Sequence, residues 1–208
     1  MFAPFGRWLW HGPRDQRAIA LTFDDGPSES TPQLLELLAK YGAKATFFQC
    51  GMNVRSHPEI ACAVALAGHE IGNHTDSHRV LIPHSKAFQR DQLRRAQDSI
   101  AEVTGVRPKV FRPPHGAYWF GTESVLAELG LRGVMWTVIG QDWKHPAERV
   151  ADIVRRRVSN GAIICLHDGR GIHPNPDIRN TIEAVRRLLP ELREEGFRFD
   201  TVSQFVAI

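Results

Sequence analysis

The sequence predicts an α/β protein of a single domain, built on a parallel sheet that is either a barrel or an open, doubly wound sheet. Short apolar runs alternate with helical patterns along the chain, which is typical of parallel β/α units. With 208 residues, the chain is long enough for one large α/β domain with its own core. No repeat, low-complexity segment or linker rich in Pro, Gly or Ser divides it, so we expect one domain over residues 1–208.

Seven apolar segments are predicted to be the strands of this sheet. Each is rich in aliphatic, β-branched or aromatic residues. The segments are residues 18–23, 44–48, 70–74, 108–112, 132–140, 162–166 and 197–202. A short N-terminal strand at the edge of the core is also expected, over residues 8–10.

Six helices are predicted between these strands, and start and stop residues bound the first two. Pro32 lies in the first turn of one helix and Gly42 ends it, while Pro58 opens the next helix and Gly68 closes it. The predicted helices are residues 30–42, 57–69, 85–103, 122–130, 146–161 and 177–194.

Charge and hydropathy argue against two classes of partner. The net charge of +3 is mild, and the basic run at residues 154–158 lies in a helical pattern, which favours a solvated helix face over nucleic-acid contact. No apolar run approaches the roughly 20 residues of a membrane span. We therefore expect neither nucleic-acid binding nor a membrane span, and the sequence carries no signal for an oligomeric state.

Two features bear on the compartment. The N-terminal residues lack a basic start followed by an apolar stretch and a small-residue cleavage site, so no signal peptide is predicted. Cys50, Cys62 and Cys165 are odd in number and widely spaced, which predicts free thiols and favours a reducing compartment. These features indicate the cytoplasm, or the cell envelope or extracellular space if a leader has been removed.

Polar residues follow five of the predicted strands. Because active sites of parallel α/β folds assemble at the C-terminal ends of the strands, we expect these residues to converge on one face. They are Asp24 and Asp25, then His74 and His78, then Arg112, then Asp142, and finally His167 and Asp168.

Two of these groups together indicate a metal site. His74 and His78 stand four residues apart, and with one carboxylate they form a site that suits Zn²⁺ or Fe²⁺ and leaves positions open for water and substrate. Such a histidine pair alone also fits ordinary surface or core histidines. Asp24 and Asp25 could form an Asx turn, but a turn needs one Asp. A site in which one carboxylate binds the metal and the neighbouring one acts as a base explains why two aspartates are adjacent.

Five motifs, in order, resemble those of the polysaccharide deacetylase family (NodB homology, carbohydrate esterase type). They are TFDDGP, HTDSH, RPPHG, QDW and LHDG, and the match spans Leu21 to His167. The resemblance implies a distorted β/α barrel of the seven-stranded type, with the active site at the C-terminal strand ends. It also implies metal-dependent hydrolysis of an N-acetyl group on a sugar.

The resemblance assigns the reacting groups. It implies that Asp25, His74 and His78 bind a divalent metal, most simply zinc, with cobalt, nickel and iron as alternatives. Asp24 resembles the family's catalytic base and His167 its general acid. Arg112 resembles the residue that holds the base, and Asp142 belongs to the same catalytic set.

The resemblance also assigns the substrate-binding groups. Thr75 matches the residue that steadies the metal-binding loop, and the backbone N–H of His115 matches the donor that holds the oxyanion. Trp143 and Leu166 resemble residues that line the pocket for the acetyl methyl. Tyr118, just after RPPHG, is a candidate for a substrate groove.

The sequence departs from the family pattern at three positions. His115 stands where Tyr or Phe is usual, and Cys165 replaces a common Leu, which we interpret as a change in the packing of a buried strand. Ile139 stands where many members carry an Asp that tunes the acid histidine. Either Asp142 or Asp168 is then expected to orient His167.

These residues predict a metal-dependent N-deacetylase that releases acetate from an N-acetylated amino sugar. Chitooligosaccharide, peptidoglycan and an exopolysaccharide intermediate are all candidate substrates. A hydrolase of a small amide or cyclic imide on the same scaffold is the nearest alternative, followed by an inactive sugar-binding module. A cysteine hydrolase is the weakest alternative, because the sequence shows no pattern of partner residues for Cys50 or Cys165 as a nucleophile.

Overall fold

A computed structural model describes residues 8–119 and 121–206, which form a parallel sheet curled into a half-barrel with helices packed outside it. This architecture confirms the predicted α/β fold and selects the barrel-like arrangement over an open sheet. The predicted domain bounds, 1–208, include residues 1–7, 120 and 207–208, which lie outside the described residues.

The described residues contain nine strands, eight α-helices and one 3₁₀ turn. The strands are β1 Trp8–Leu9, β2 Ala18–Asp24, β3 Ala45–Gln49, β4 Glu70–Asn73, β5 Val110–Phe111, β6 Arg132–Val134, β7 Val138–Ile139, β8 Ile163–His167 and β9 Arg198–Phe199. The helices are α1 Thr31–Lys40, α2 Gly51–Ser56, α3 Pro58–Leu66, α4 Lys86–Thr104, α5 Thr122–Glu128, α6 Ala147–Arg157, α7 Arg179–Glu194 and α8 Val202–Val206, and the 3₁₀ turn is Pro114–Gly116.

The strand order explains how the sheet curls. The order is β1-β6-β5-β4-β3-β2-β8-β7, every pair is parallel, and β9 pairs with β2. β6 and β7 lie near opposite ends of this order, although only residues 135–137 separate them. A link of that length spans at most about 14 Å. The two ends of the sheet must therefore approach each other.

Three apolar clusters enclose the strands. The largest packs the outer face of the sheet against the helices and includes Phe23, Phe47 and Leu166. The second includes Phe48, Val134 and Ile163. The third joins β5 to α4 and α5. All seven residues of β2 are buried, as expected for a central parallel strand that is covered on both faces.

Most predicted elements are present, with corrections at four places. The predicted strand 132–140 is divided into β6 and β7, because its two halves pair with different neighbours. The segment 197–202 contains only the two-residue β9 and the first residue of α8. The helix α2 and the 3₁₀ turn were not predicted, since neither has apolar periodicity. No helix among the described residues is long and apolar enough to cross a membrane.

Candidate active site

The polar residues singled out in the sequence meet at the C-terminal edge of the sheet. Asp24 is the last residue of β2 and His167 the last residue of β8, and the two are direct partners in the parallel ladder. His74 follows β4 and Arg112 follows β5, on strands that are neighbours of each other. The register of the sheet therefore brings residues distant in the chain to one site.

Asp25, His74 and His78 form a compact cluster of possible metal ligands. Asp25 Oδ1 lies 3.2 Å from His74 Nε2 and 2.9 Å from His78 Nε2. Asp25 and His78 have positive φ angles of 77° and 53°, a backbone conformation that costs energy for residues other than glycine. The loops after β2 and β4 thus adopt strained turns that direct these three side chains at one point.

The chemistry of these atoms fits a metal ion. His74 Nδ1 lies 2.7 Å from the carbonyl oxygen of Arg112, which can only accept, so Nδ1 carries a hydrogen and Nε2 is the nitrogen that can present a lone pair to a metal. Asp25 Oδ1 is buried and makes no hydrogen bond with the described residues. Metal bonds of about 2.1 Å place neighbouring ligands about 3.0 to 3.4 Å apart in octahedral or tetrahedral geometry. The observed separations are close to this range.

The surroundings of Asp25 favour its charged form. Burial raises the pKa of the carboxyl, but the adjacent His74 and His78 rings outweigh it and hold the pKa well below the usual range. The N–H of Gly171 also donates to Asp25 Oδ2 at 2.8 Å. The carboxylate is therefore ionised at neutral pH, as a metal ligand must be.

Asp24 is not part of this cluster and is held by Arg112. Arg112 is fully buried, and its Nη1 donates to Asp24 Oδ1 at 2.7 Å and to Thr22 Oγ1 at 2.6 Å. Its Nη2 donates to the carbonyl of Met135 at 3.0 Å, and the guanidinium lies 4.2 Å from the ring centroid of Phe48. Arg112 is thus fixed on several sides and can orient one oxygen of Asp24.

His167 is paired with Asp142, which settles the alternative left open by the sequence. Asp142 Oδ1 lies 2.9 Å from His167 Nδ1, and Asp142 Oδ2 accepts from the His167 N–H at 3.1 Å and from Thr181 Oγ1 at 2.5 Å. Burial lowers the pKa of His167, but the Asp142 carboxylate outweighs it and raises the pKa to about 9. The ring is therefore cationic at neutral pH, which is the form a general acid requires.

Asp168 has a different role, as a support for the loop after β2. Its Oδ1 accepts from the Gly26 N–H at 3.1 Å and its Oδ2 from Thr31 Oγ1 at 2.7 Å. Burial, together with the nearby charges of Asp25 and Asp24, raises the pKa of Asp168 to about 7. Its side chain makes no contact with His167 that would orient the ring, so the choice between the two aspartates falls on Asp142.

A cavity of about 520 Å³ connects these groups. It is large enough for one sugar residue with its acyl group. Its lining residues are Asp24, Asp25, His74, His78, His115, Trp136, Ile139, Trp143, Cys165, His167, Arg170 and Gly171. The metal cluster, the candidate base and the candidate acid therefore face the same space.

Two predicted binding residues line this cavity. Trp143 is 49% exposed and meets the His167 ring edge-on, with 5.0 Å between ring centroids. His115 lies in the 3₁₀ turn with a φ of 58°, and its ring packs edge-on against His78 at 4.9 Å. Burial and the His78 ring lower the pKa of His115, so its ring is neutral at neutral pH.

Two other predictions were wrong. Leu166 is fully buried in the outer core cluster, because side chains alternate along β8 and those of Cys165 and His167 point to the cavity. Tyr118 stacks on Trp8, with 3.9 Å between ring centroids, and does not line the cavity. The interpretation of Cys165 as mere packing in a buried strand also needs correction, since its thiol faces Asp24.

Thr75 lies in the metal-binding loop, but its hydroxyl does not hold it there. The Thr75 N–H donates to Asn73 Oδ1 at 2.9 Å, and the Thr75 carbonyl accepts from the Gly51 N–H at 3.1 Å. Its Oγ1 is buried and makes no hydrogen bond with the part of the chain that the structure describes. The loop is therefore fixed through the backbone of Thr75.

Sequence reasoning missed several cavity residues. Trp136 lines the cavity from the link between β6 and β7. The sequence predicted one continuous strand there, so this link was not expected. Arg170 and Gly171 belong to the Gly- and Pro-rich loop after His167, and the position of this loop at the predicted active-site face, together with its charge, is the signal that could have identified them. For Cys165 the signal existed, because alternation counted back from His167 places its side chain on the cavity side. For Ile139 the signal was its position in the family pattern, where many members carry an Asp.

Comparisons with known proteins agree with this site. The family model described as polysaccharide deacetylase matches residues 11–134. A peptidoglycan-N-acetylglucosamine deacetylase of Bacillus cereus is 35% identical over 98% of this chain and 94% of its own length. A chitooligosaccharide deacetylase of Azorhizobium caulinodans is 36% identical over 88% of this chain and 92% of its own.

Solved structures show the same fold. The crystal structure of a peptidoglycan N-acetylglucosamine deacetylase, bound to a hydroxamate-type benzamide, matches with a TM-score of 0.90 and 31% identity over 98% of this chain and 97% of that one. A pseudoenzyme of carbohydrate esterase family 4 from Bacillus anthracis matches with a TM-score of 0.89 and 26% identity over 99% and 70% of the two chains.

The curled parallel sheet and the residues at its C-terminal edge define a hydrolase of the carbohydrate esterase class. Within that class, the chain belongs to the polysaccharide deacetylase family, the family of NodB homology.

Proposed function

We propose that this protein is a metal-dependent N-deacetylase that hydrolyses the N-acetyl group of an N-acetylated amino sugar in a glycan. One observation carries the proposal: the ion pair of Asp24 with Arg112 and the pair of His167 with Asp142 face one cavity beside the Asp25, His74 and His78 cluster. The cavity thus has separate groups that accept a proton, donate a proton and bind a metal.

The donor set favours zinc. Asp25, His74 and His78 would hold a divalent metal, whose chemistry when bound is to polarise the amide carbonyl and to acidify water. Two imidazoles and one carboxylate suit Zn²⁺, and they also accept Co²⁺, Ni²⁺ or Fe²⁺.

Asp24 acts as the base in this proposal. Arg112 fixes its Oδ1, so Oδ2 is the oxygen left to take the proton of the attacking water. Arg112 itself is fully buried and does not line the cavity, so it positions Asp24 and does not touch substrate.

His167 acts as the acid. An amine is a poor leaving group, and the carbon–nitrogen bond breaks when the nitrogen receives a proton. His167 is cationic at neutral pH and its Nδ1 is bonded to Asp142, so Nε2 is the nitrogen that delivers the proton. The backbone N–H of His115, in the turn that borders the cavity, would stabilise the oxyanion in this proposal.

Ile139, Cys165 and Trp143 would surround the acetyl methyl in place of the Leu166 that the sequence suggested. They supply apolar surface next to the acid and the base. The named activities of the relatives favour N-acetylglucosamine in peptidoglycan or chitooligosaccharide as the substrate class.

Two alternatives have less support. An inactive sugar-binding module is a real option in a family with pseudoenzyme members, but here the proposed base, acid and metal ligands are all present and face one cavity. Burial raises the pKa of the Cys165 and Cys50 thiols well above the ordinary value, so neither is an activated thiolate nucleophile.

Acetate release tests the proposal. We expect release from N-acetylglucosamine oligomers or peptidoglycan strands, its loss after treatment with a chelator, and its recovery with Zn²⁺ or Co²⁺. Activity that survives complete removal of metal would refute metal dependence. Sugar affinity without acetate release in any metal would instead identify a binding module, and turnover of cyclic imides alone would identify the small-amide hydrolase.

A further inference from the structure

A second cluster of metal-binding atoms lies beside the first one. Asp24, Cys165 and His167 each offer one ligand atom, and these three atoms lie within 4.8 Å of one another. None of the three belongs to the Asp25, His74 and His78 cluster. Carboxylate, thiolate and imidazole are together a donor set typical of zinc and of softer divalent ions.

The orientation of each donor supports a site. Asp24 Oδ1 is occupied by Arg112, while Asp24 Oδ2 lies 3.5 Å from Cys165 Sγ. For zinc bonds of about 2.0 Å to oxygen and about 2.3 Å to sulfur, tetrahedral geometry separates the two ligands by about 3.5 Å. The observed separation therefore requires no movement of either side chain.

His167 has the arrangement that metal-binding histidines share. Such rings bond a carboxylate through one nitrogen and bind metal through the other. His167 Nδ1 faces Asp142 Oδ1 at 2.9 Å, which leaves Nε2 for a metal. Asp142 is in turn held by Thr181 and Arg170, so this ring is fixed before any metal binds.

We propose that Asp24, Cys165 and His167 form a second, inhibitory site for a thiophilic divalent cation such as Zn²⁺ or Cd²⁺. Binding replaces the proton of the Cys165 thiol and the Nε2 proton of His167, and both protons leave to solvent. The site therefore fills only after the first one, at higher metal concentration and higher pH. Since Cys165 stands where the family pattern has a common Leu, most members would lack the sulfur ligand.

The binding claim stands apart from the proposed function, whereas inhibition rests on it. A cation at this site would occupy both the base and the acid, so turnover would fall as the second equivalent binds. Metal stoichiometry and spectroscopy test the site even if the protein acts on another substrate.

The metal-free full chain is titrated with Co²⁺ and with Cd²⁺. Equilibrium dialysis measures the equivalents of metal bound, and near-ultraviolet absorption detects sulfur-to-metal charge transfer. We expect two equivalents in the wild type, with sulfur-to-metal charge transfer on the second equivalent only, because the first site contains no sulfur. Cys165→Ser should bind one equivalent without the charge-transfer band. Cys62→Ser is the matched control, since Cys62 lies on α3 with its Sγ 3.0 Å from the Val103 carbonyl, and it should bind two equivalents with the band.

A single equivalent in the wild type, or a thiolate band that persists in Cys165→Ser, would overturn the proposal. If Cys165→Ser does not fold, ¹¹³Cd NMR of the wild type decides. Two resonances are expected, one of them shifted by a single sulfur ligand, and one resonance without sulfur character would refute the site. An acetate assay of the same samples then separates the two proposals, because a protein with two metal sites and no deacetylase activity would contradict only the function.

Discussion

Replacement of Asp142 by Asn is the most direct test of the proposed acid. The Asp142 carboxylate raises the pKa of His167 from 6.5 to about 9, and this shift corresponds to roughly 3.4 kcal/mol at about 1.36 kcal/mol per pKa unit. The side chain of His167 is only 16% exposed, so solvent screens little of this interaction. Asn keeps a hydrogen-bond acceptor for Nδ1 but removes the charge, so burial lowers the pKa toward the ordinary value of 6.5, against the smaller raising effect of Asp25 and Asp24.

The expected effect on turnover follows from the protonated fraction of His167. At pH 7.5, a pKa of about 9 leaves roughly 97% of the ring cationic, whereas a pKa of 6.5 leaves roughly 9%. In Asp142→Asn, kcat at pH 7.5 should therefore fall by up to about tenfold, and the alkaline limb of the pH profile should move to lower pH.

Two measurements check this expectation. NMR titration of His167 in the metal-free protein reports its pKa directly, and the pH dependence of kcat in the metal-loaded enzyme reports its function. Asp152→Asn is the matched control, because Asp152 pairs with Arg155 on α6, outside the cavity. An unchanged His167 titration in Asp142→Asn would refute the assignment of Asp142 as the cause of the raised pKa.

Three further predictions concern the base, the metal cluster and the buried arginine. Asp24→Asn should lower kcat by about 10²- to 10⁴-fold yet still bind one equivalent of metal in equilibrium dialysis. Loss of that equivalent would show that the roles of base and metal ligand are exchanged between the two aspartates. His74→Ala and His78→Ala should each abolish stoichiometric metal binding at the first site. The control His57→Ala, a change outside the cavity, should bind metal as the wild type does. Equal metal binding in all three variants would show that this cluster does not hold the metal. Arg112→Gln should lower the free energy of unfolding in urea by about 3 to 5 kcal/mol, because it leaves Asp24 buried without its partner. The control Arg90→Gln breaks an exposed pair with Glu128 and should lower this free energy far less. Similar losses in the two variants would contradict the burial argument.

The sequence was sufficient to predict most of the strands and helices and the polar residues at the strand ends. Local patterns determine these features, because buried parallel strands read as apolar runs and polar residues at their ends stand out. The two adjacent aspartates, His74 and His78 could be grouped in this way, and the family resemblance then indicated Asp25 as the ligand. The division of residues 132–140 could not be predicted, since it depends on which distant strands each half pairs with.

The errors at Leu166 and Tyr118 have a different cause. Leu166 lies on β8 between two residues that do face the cavity, and adjacency along a strand places its side chain on the opposite face. Tyr118 found a partner in Trp8, which is more than a hundred positions away and leaves no trace in the local pattern. The choice between Asp142 and Asp168 likewise required the distance from each carboxylate to the His167 ring.

The same alternation explains how two neighbouring aspartates can have separate roles. Asp24 is the last residue of β2 and its side chain points toward Arg112, inside the curled sheet. Asp25 lies one residue beyond, with a positive φ that directs its carboxylate to His74 and His78. Asp168 holds the Gly26 N–H next to this turn, so a buried carboxyl on another loop helps to keep it in place. Separation of the proposed base from the proposed metal ligand therefore depends on the strained turn at Asp25.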